Sequence, residues 1–538
     1  MSSTQQAALS GSSGGGVSTA GQLDRASTTA WIAVLASMIG AFMAILNIQI
    51  TNASLLDIEG GIGTGVDNGA WISTSYLIGE IVVIPLTDYF SRVFSFRRYM
   101  LANAILFPLF SAACAFATDL GSMIALRGLQ GFAGGVLIPM AFTMVLTRLP
   151  RSQQPLGLAL FALSVTFAPA IGPTIGGYLT ENYGWQSIFF VNAPPSLLMV
   201  VALWFTLEKI PMQLRLLREG DWAGIFTMAI GLSALQTVLE EGNKDDWFQS
   251  PFIVKLALTA AVFLIAFVII ELTVAKPLVQ LRLLRQRNFG VGVLVNVLVG
   301  VALFGTVYIL PQYLGQVQRY NAEQIGLVLA WTGLPQLLII PLVPMLMKRF
   351  DARYIGFVGI SIFAASCFMN TSLSLDSAGD QFFIPNIVRA IGQALVLTPI
   401  SVITTAGIAP SEAGAASGLS NMLRNLGGAV GTATLATVLT KREQFHSNII
   451  GQSVTIYRDE VRDRISDLTQ HFMARGVTDI AVAQHKAIAT IGATIHRQAL
   501  ILGFSDTFAV IGVVLALAAV ALLFTRKIVG GGGAGGAH

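Results

Sequence analysis

The sequence predicts an all-α polytopic membrane protein with about fourteen spans. Apolar residues make up 54% of the chain and charged residues 11%, whereas a soluble domain carries roughly 25% charge. Its mean hydropathy is +0.70. Apolar stretches of about twenty residues, long enough to cross hydrocarbon as helices, recur along it. Helices suit such stretches because lipid offers no partner to a backbone N–H or C=O, and a helix satisfies both internally.

The stretches fall near 30–52, 69–90, 98–117, 120–147, 154–179 and 186–207, then 222–240 and 251–273. Six more lie near 289–315, 323–347, 353–373, 381–408, 413–438 and 500–525. The connections test this count, since cytoplasmic loops collect Lys and Arg. With the N-terminus inside, eighteen basic residues lie in the short cytoplasmic segments and two, Lys244 and Arg319, in the short outer loops. One missed span would invert every later loop, so the asymmetry favours both the count and cytoplasmic termini. The outer loops are acidic instead, with Asp57, Glu59 and Asp67 in the first and Asp245 and Asp246 in the fourth.

Residues 1–29 are rich in Ser, Gly, Gln and Thr and read as a cytoplasmic tail, not a cleavable signal peptide. Residues 439–499 form one long polar connection with helical patterns such as 458–472. Long loops cross regardless of charge, so this one is placed on the outer side, where it is large enough to dock a partner. The Gly-rich tail 527–538 is low in complexity.

Two segments at similar depth resemble each other. RGLQGFAGGVLIPM (127–140) in the fourth span and RAIGQALVLTPIS (389–401) in the twelfth both place an Arg, then Gln and Gly, then Pro. DYFSRVFSFRR (88–98) after the second span echoes KRFDAR (348–353) after the tenth. Internal repeats of this kind build secondary transporters, with the substrate site near the midplane between them. The predicted organisation is a six-helix half over 30–207, two inserted helices with flanking loops over 208–287, and a second six-helix half over 288–526.

Charges inside spans are costly and face a partner or a cavity. Arg127 lies well inside the fourth span, and Glu80, in the middle of the second, is its expected partner; such a pair suits a proton-coupled carrier. A structural Glu–Arg buttress remains the alternative. Arg389, Arg424 and Asp506 are the charges expected within the second half, where an Arg–Asp pair is anticipated, and Asp506 sits near the end of its span. Asp88 and Arg92, one helical turn apart, suit a cytoplasmic lock that opens when the halves rock; ordinary positive-inside anchoring accounts for the arginine alone. Gly172, Pro173, Gly176 and Gly177 in the fifth span predict a bent, closely packed helix. Asn421 and Arg424 in the thirteenth span are available to a cavity, and Tyr76 is among the aromatics that suit a pocket for flat apolar ligands.

Other chemistry is disfavoured. The basic residues form no stripe that would track nucleic acid. The two cysteines, Cys114 and Cys367, sit in apolar runs, and the five histidines have no metal-like spacing. No cofactor is expected. The absence of a GxxxxGK loop removes an ATP-driven pump.

These segments resemble the major facilitator superfamily, and within it the fourteen-span drug:proton antiporters of the EmrB/QacA type. DYFSRVFSFRR resembles the family's loop motif with Asp88 and Arg92 in its acidic and basic places, ALRGLQG its fourth-span Arg motif, and GPTIGG (172–177) its antiporter motif. DWAG (221–224), DDWF (245–248) and the Gly-rich tail are similar to the EmrB branch. The resemblance implies proton-driven export of small amphipathic toxic compounds from the cytoplasm or inner leaflet. It also implies an inner-membrane location, with a periplasmic membrane-fusion adaptor and a TolC-type outer-membrane channel as partners, loop 439–499 being suited to the adaptor.

One departure stands out. The family's first-span motif reads Leu-Asp, with the acid implicated in proton coupling, and here it reads Leu46-Asn47. Asn does not titrate, so Glu80, where EmrB-like sequences carry a small residue, is the position to which the protonatable group is expected to have moved. Asn47 itself is left as a cavity candidate. An importer or facilitator, or a transport-silent receptor, would share these features, since fold does not set direction or substrate.

Overall fold

The computed structural model describes residues 26–64, 66–274, 277–409 and 412–527. The tail 1–25, including Arg25, together with Lys276 and the Gly-rich segment 528–538, lies outside the described residues. The first half contains α1 (Thr28–Ala53), a short outer helix α2 (Leu55–Ile62), α3 (Val66–Val93), α4 (Phe96–Cys114), α5 (Leu120–Arg148), α6 (Gln154–Tyr183), α7 (Ser187–Phe190) and α8 (Ala193–Thr206). The inserted pair is α9 (Trp222–Glu241) and α10 (Pro251–Thr273). The second half contains α11 (Arg287–Gln316), α12 (Ala322–Ile339), α13 (Val343–Arg349), α14 (Ala352–Met369), α15 (Phe383–Ala394), α16 (Leu397–Thr405), α17 (Ala413–Ser453), α18 (Asp459–Ala474) and α19 (Ile480–Leu523).

Among the described residues, twelve helical segments are long and apolar enough to cross a membrane. The helices α4 and α17 stand where the sequence places spans three and thirteen. Both are less apolar: α4 opens on Arg97 and Arg98, and α17 carries Asn421, Arg424 and Asn425. The tenth span bends at a 3-10 turn over Ile340–Leu342, where Pro341 and Pro344 each remove a backbone donor.

The repeat is visible in the packing. Helix α1 packs on α5, α6 and α8 as α11 packs on α16, α17 and α19; α3 meets α5 as α12 meets α15; and α4 meets α5 and α8 as α14 meets α15 and α19. The halves join through α3 against α17 and α6 against α12, the exchanged pairs that a two-fold relation requires. Close approach explains the glycines of the fifth span. A Cβ on Gly172 would stand 2.5 Å from Gln49 Cβ, and one on Gly176 would stand 2.9 Å from the Ile50 carbonyl oxygen. Pro173 and Gly177 are buried on the same helix.

Helix α9 lies over the α3–α17 seam, and its outer end together with the turn that follows ties to both sides. Glu241, 2% exposed, accepts a hydrogen bond from Thr74 Oγ1 of α3 at 3.0 Å. The Trp247 indole donates to Thr437 Oγ1 of α17 at 3.0 Å. The partner helix α10 is mostly open to its surroundings, as a lipid-facing helix is.

One boundary differs from the sequence expectation. Residues 439–499 are a helical hairpin, not a loop: α17 continues outward to Ser453, α18 follows, and α19 begins at Ile480. At 1.5 Å per residue α17 and α19 are each about 60 to 65 Å long, roughly twice the hydrocarbon thickness. The polar outer turns of both helices therefore stand clear of the bilayer.

Candidate functional site

A cavity lies between the halves. From the first half it is lined by Ile45, Ile48 and Gln49 on α1, Glu80 on α3, Ile138 on α5, and Val165, Thr166, Pro169 and Ala170 on α6. From the second come Leu303, Phe304 and Val307 on α11, Thr332 on α12, Arg389 and Gln393 on α15, and Arg424 and Asn425 on α17. The walls are apolar, and the polar groups number few: one carboxylate, two guanidiniums, a hydroxyl pair and amides. That composition is the one small-molecule sites use to combine tolerance with orientation.

Glu80 is 4% exposed. Its Oε1 accepts a hydrogen bond from Asn425 Nδ2 of the opposite half at 3.0 Å, and its Oε2 is buried without a protein partner. Arg424 donates from Nη2 to Asn421 Oδ1 at 2.8 Å, while its Nε is unpartnered. The Nε of Arg389 is likewise unpartnered. Beside it Gln393 accepts from Gln336 Nε2 at 2.9 Å. Asn421 reaches a second, smaller pocket beside Arg424 and serves to orient that guanidinium.

The expected Glu80–Arg127 pair is not formed. Arg127, 0% exposed, donates from Nη1 to Asn47 Oδ1 at 2.5 Å and to Gln130 Oε1 at 2.8 Å, and from Nε to the Ile72 carbonyl at 3.2 Å. Its guanidinium stands 4.4 Å from the centroid of the Tyr76 ring. Helix geometry explains the separation: Arg127 points back toward α1, where Asn47 fills the acid's place in the first-span motif, while Glu80 faces the other half. Asn47 and Tyr76 therefore stand outside the cavity they were expected to line. Tyr76 is fully buried and donates to the Ala44 carbonyl at 2.9 Å.

Asp506 also departs from expectation. It meets neither Arg389 nor Arg424; its Oδ2 lies 2.6 Å from Arg442 Nε and 2.7 Å from His446 Nε2, both on the outer extension of α17. The carboxylate belongs to the base of the outer hairpin. Asp88 pairs with Arg92 at 3.0 Å, and its carboxylate abuts Gly414 in the first turn of α17. An acid of the first half thus meets the positive end of a helix dipole in the second. Among the outer acids, Glu59 is tucked into α2, and burial pushes its carboxyl up from the ordinary value.

Sequence reasoning missed Asn425, Gln49 and Gln393. Asn425 carried a readable signal, standing next to Arg424 in a span otherwise rich in Gly and Ala. Among the described residues no group of three or more His, Cys, Asp or Glu is placed to hold a metal ion.

The sequence profile of the Major Facilitator Superfamily matches residues 37–432. The chain is 33% identical over 499 residues to the colistin resistance protein EmrB of Acinetobacter baumannii, covering 93% of this chain and 97% of that protein. The chain belongs to the major facilitator superfamily, among its EmrB-type members. The multidrug export protein EmrB of Escherichia coli K12 is 30% identical over 510 residues, covering 94% of this chain and 98% of that protein. The fatty acid resistance protein FarB of Neisseria gonorrhoeae is 30% identical over 481 residues, covering 89% and 92%. In fold, this superfamily member is similar to the proton:xylose symporter XylE, with a TM-score of 0.57 at 14% identity over 93% of this chain and 96% of that one. It is also similar to the human transporter MFSD10, with a TM-score of 0.53 at 13% identity over 90% and 99%. As a member of this superfamily the chain is a multi-pass membrane transporter and not an enzyme.

Proposed function

We propose that this protein is a fourteen-span proton-coupled efflux carrier that exports amphipathic toxic compounds across an inner membrane, with both termini cytoplasmic. The observation that carries the reading is Glu80, a buried carboxylate on the cavity wall bonded across the seam to Asn425. A carboxylate there senses both cavity contents and the relative position of the halves. A ligand that engages Arg424 or Asn425, or a proton on Glu80, changes the same cross-seam contact, so the two compete as antiport requires. Arg389 and Arg424 outnumber Glu80, which suits the cavity to amphiphiles with an acidic or strongly accepting head.

Asp88 and Arg92 form the cytoplasmic lock, and Gly172 and Gly176 of α6 make the close α1–α6 contact on which the first half moves as a body, with Pro173 and Gly177 buried on the same helix. The relatives' export and resistance functions support the direction of transport. The helical hairpin 439–499 is the surface for a periplasmic adaptor of the membrane-fusion type, which would lead to a TolC-type outer-membrane channel.

Proteoliposomes test the central claim. In wild-type vesicles, adding an amphipathic substrate drives proton movement. Glu80→Gln keeps an acceptor for Asn425 and removes the charge, so substrate still binds while substrate-driven proton movement disappears. Retained proton movement in Glu80→Gln, lost instead on replacing Asp506, would refute the assignment.

A further inference from the structure

The inserted helix pair is bracketed by one hexapeptide used twice. Gln-Leu-Arg-Leu-Leu-Arg occurs at 213–218, just before α9, and again at 280–285, just after α10. Both copies fold alike. Each leads with a Gln of similar ψ, 60° at Gln213 and 70° at Gln280, and continues as a 3-10 turn, Leu214–Glu219 and Leu281–Arg285. Each then leaves in an extended conformation.

The two turns share one inward leucine and outward arginines. Leu216 and its counterpart Leu283 point inward, into a single apolar cluster that also holds Tyr89 and Val93 from the cytoplasmic end of α3. The first turn is pinned there, because Tyr89 donates its hydroxyl to the Leu216 carbonyl at 3.0 Å and Gln213 N–H donates to the Val93 carbonyl at 2.8 Å. The arginines point outward: Arg215, Arg218, Arg282 and Arg285 are all exposed. Arg215 pairs with Glu219 at 3.4 Å. Arg218, Arg282 and Arg285 have no hydrogen bond or ion pair among the described residues.

We propose that the paired turns are a binding site for the phosphate headgroups of anionic phospholipids in the cytoplasmic leaflet. Two features set lipid above a free phosphate. The arginines rim an apolar cluster at the ends of spanning helices, which is the depth of the headgroups. Ile210, Met212 and Leu214 lie beside the first turn with 46%, 43% and 51% of their surface exposed, so apolar side chains enter the acyl boundary where the guanidiniums meet phosphate. The guanidinium fork matches two phosphate oxygens at once. Because the first turn is pinned to α3 and the second packs on α11 in the same apolar cluster, lipid bound there braces α9 on the seam it covers. This site is independent of the substrate and of proton coupling.

The test measures lipid retention by the full-length protein. Purified protein is exchanged into phosphatidylcholine nanodiscs doped with phosphatidylglycerol, and bound lipid is read by native mass spectrometry. Each arginine near an anionic surface contributes about fivefold in binding. Wild type should therefore enrich phosphatidylglycerol, and R215Q/R218Q and R282Q/R285Q should each lose at least about tenfold, with further loss when combined. A control with the same charge change on the outer hairpin, R458Q/R464Q, should retain the lipid. Enrichment unchanged in the combined variant overturns the site. Equal displacement by water-soluble glycerol phosphate and by phosphatidylglycerol overturns the lipid as its occupant. Loss in the control overturns locality. Should the combined variant not fold, the two double variants decide the matter separately, since each leaves one turn intact.

Discussion

Asn47→Asp is the sharpest perturbation the structure offers. Arg127 is fully buried and bonded only to neutral acceptors, with Nη2 unpartnered, and Asn47 Nδ2 beside it is an unpartnered donor. Aspartate would replace that idle donor by an acceptor next to a guanidinium that lacks one, and would let the pair become bidentate. Two opposite charges at about 4 Å attract by about 4 kcal/mol at an effective dielectric of ~20. Burying the new carboxylate costs several kcal/mol less its hydrogen bonds, and the balance favours the variant because the wild-type site already bears the cost of a buried cation. Thermal unfolding in detergent should then shift upward by a few degrees. The same variant places an acid where the family motif has one, so Asn47→Asp combined with Glu80→Gln should recover part of the substrate-driven proton movement that Glu80→Gln loses. A lowered unfolding temperature for Asn47→Asp would refute the description of Arg127 as an uncompensated charge.

Three further outcomes follow from the geometry. Gly172→Ala drives a Cβ against Gln49 and should cost about 1–3 kcal/mol, read as a lower unfolding temperature; Gly451→Ala, with open space around its Cβ, should not lower it. Asp88→Asn removes the ion pair to Arg92 and the charge facing Gly414, so cysteine cross-linking between the cytoplasmic ends of α3 and α17 should fall while expression is unchanged. Asp351 caps α14, and although burial raises its carboxyl, the hydrogen bonds and charge of Arg353 hold it below the ordinary value. Its contribution is therefore present above the usual carboxylate range and lost as pH falls through and below it; Asp351→Asn keeps a side-chain cap but removes the ion pair to Arg353, so it should lower stability by about 0.5–1 kcal/mol at neutral pH and narrow the gap to wild type on acidification.

Hydropathy made the helices legible because their apolar stretches follow from one solvent boundary. The two-half repeat was legible at Arg127 and Arg389, since a charge inside a span stands out against apolar neighbours. What stayed hidden depends on which way a helix turns. Glu80 and Arg127 look like partners at the level of depth, yet Glu80 finds Asn425, 345 positions away, and Arg127 finds the first-span Asn47. The outward growth of α17 and α19 was hidden for another reason. Hydropathy reports where a helix leaves lipid, whereas Arg442, His446 and Asp506 show that this pair continues packing in water. The number of spans and the number of helices that matter for shape are thus different quantities.

The bonds of α9 to Thr74 and Thr437 also bear on how the molecule swings. The end of α9 at Glu241 and the turn that follows it at Trp247 fasten both sides of the outer seam, so a motion that parts α3 from α17 there must release one fastening. The broader α9–α3 contact and the Tyr89 anchor beneath it make the Trp247–Thr437 link the one that yields. The inserted pair then travels with α1–α8 as one arm, and α11–α19 form the other, which carries the outer hairpin.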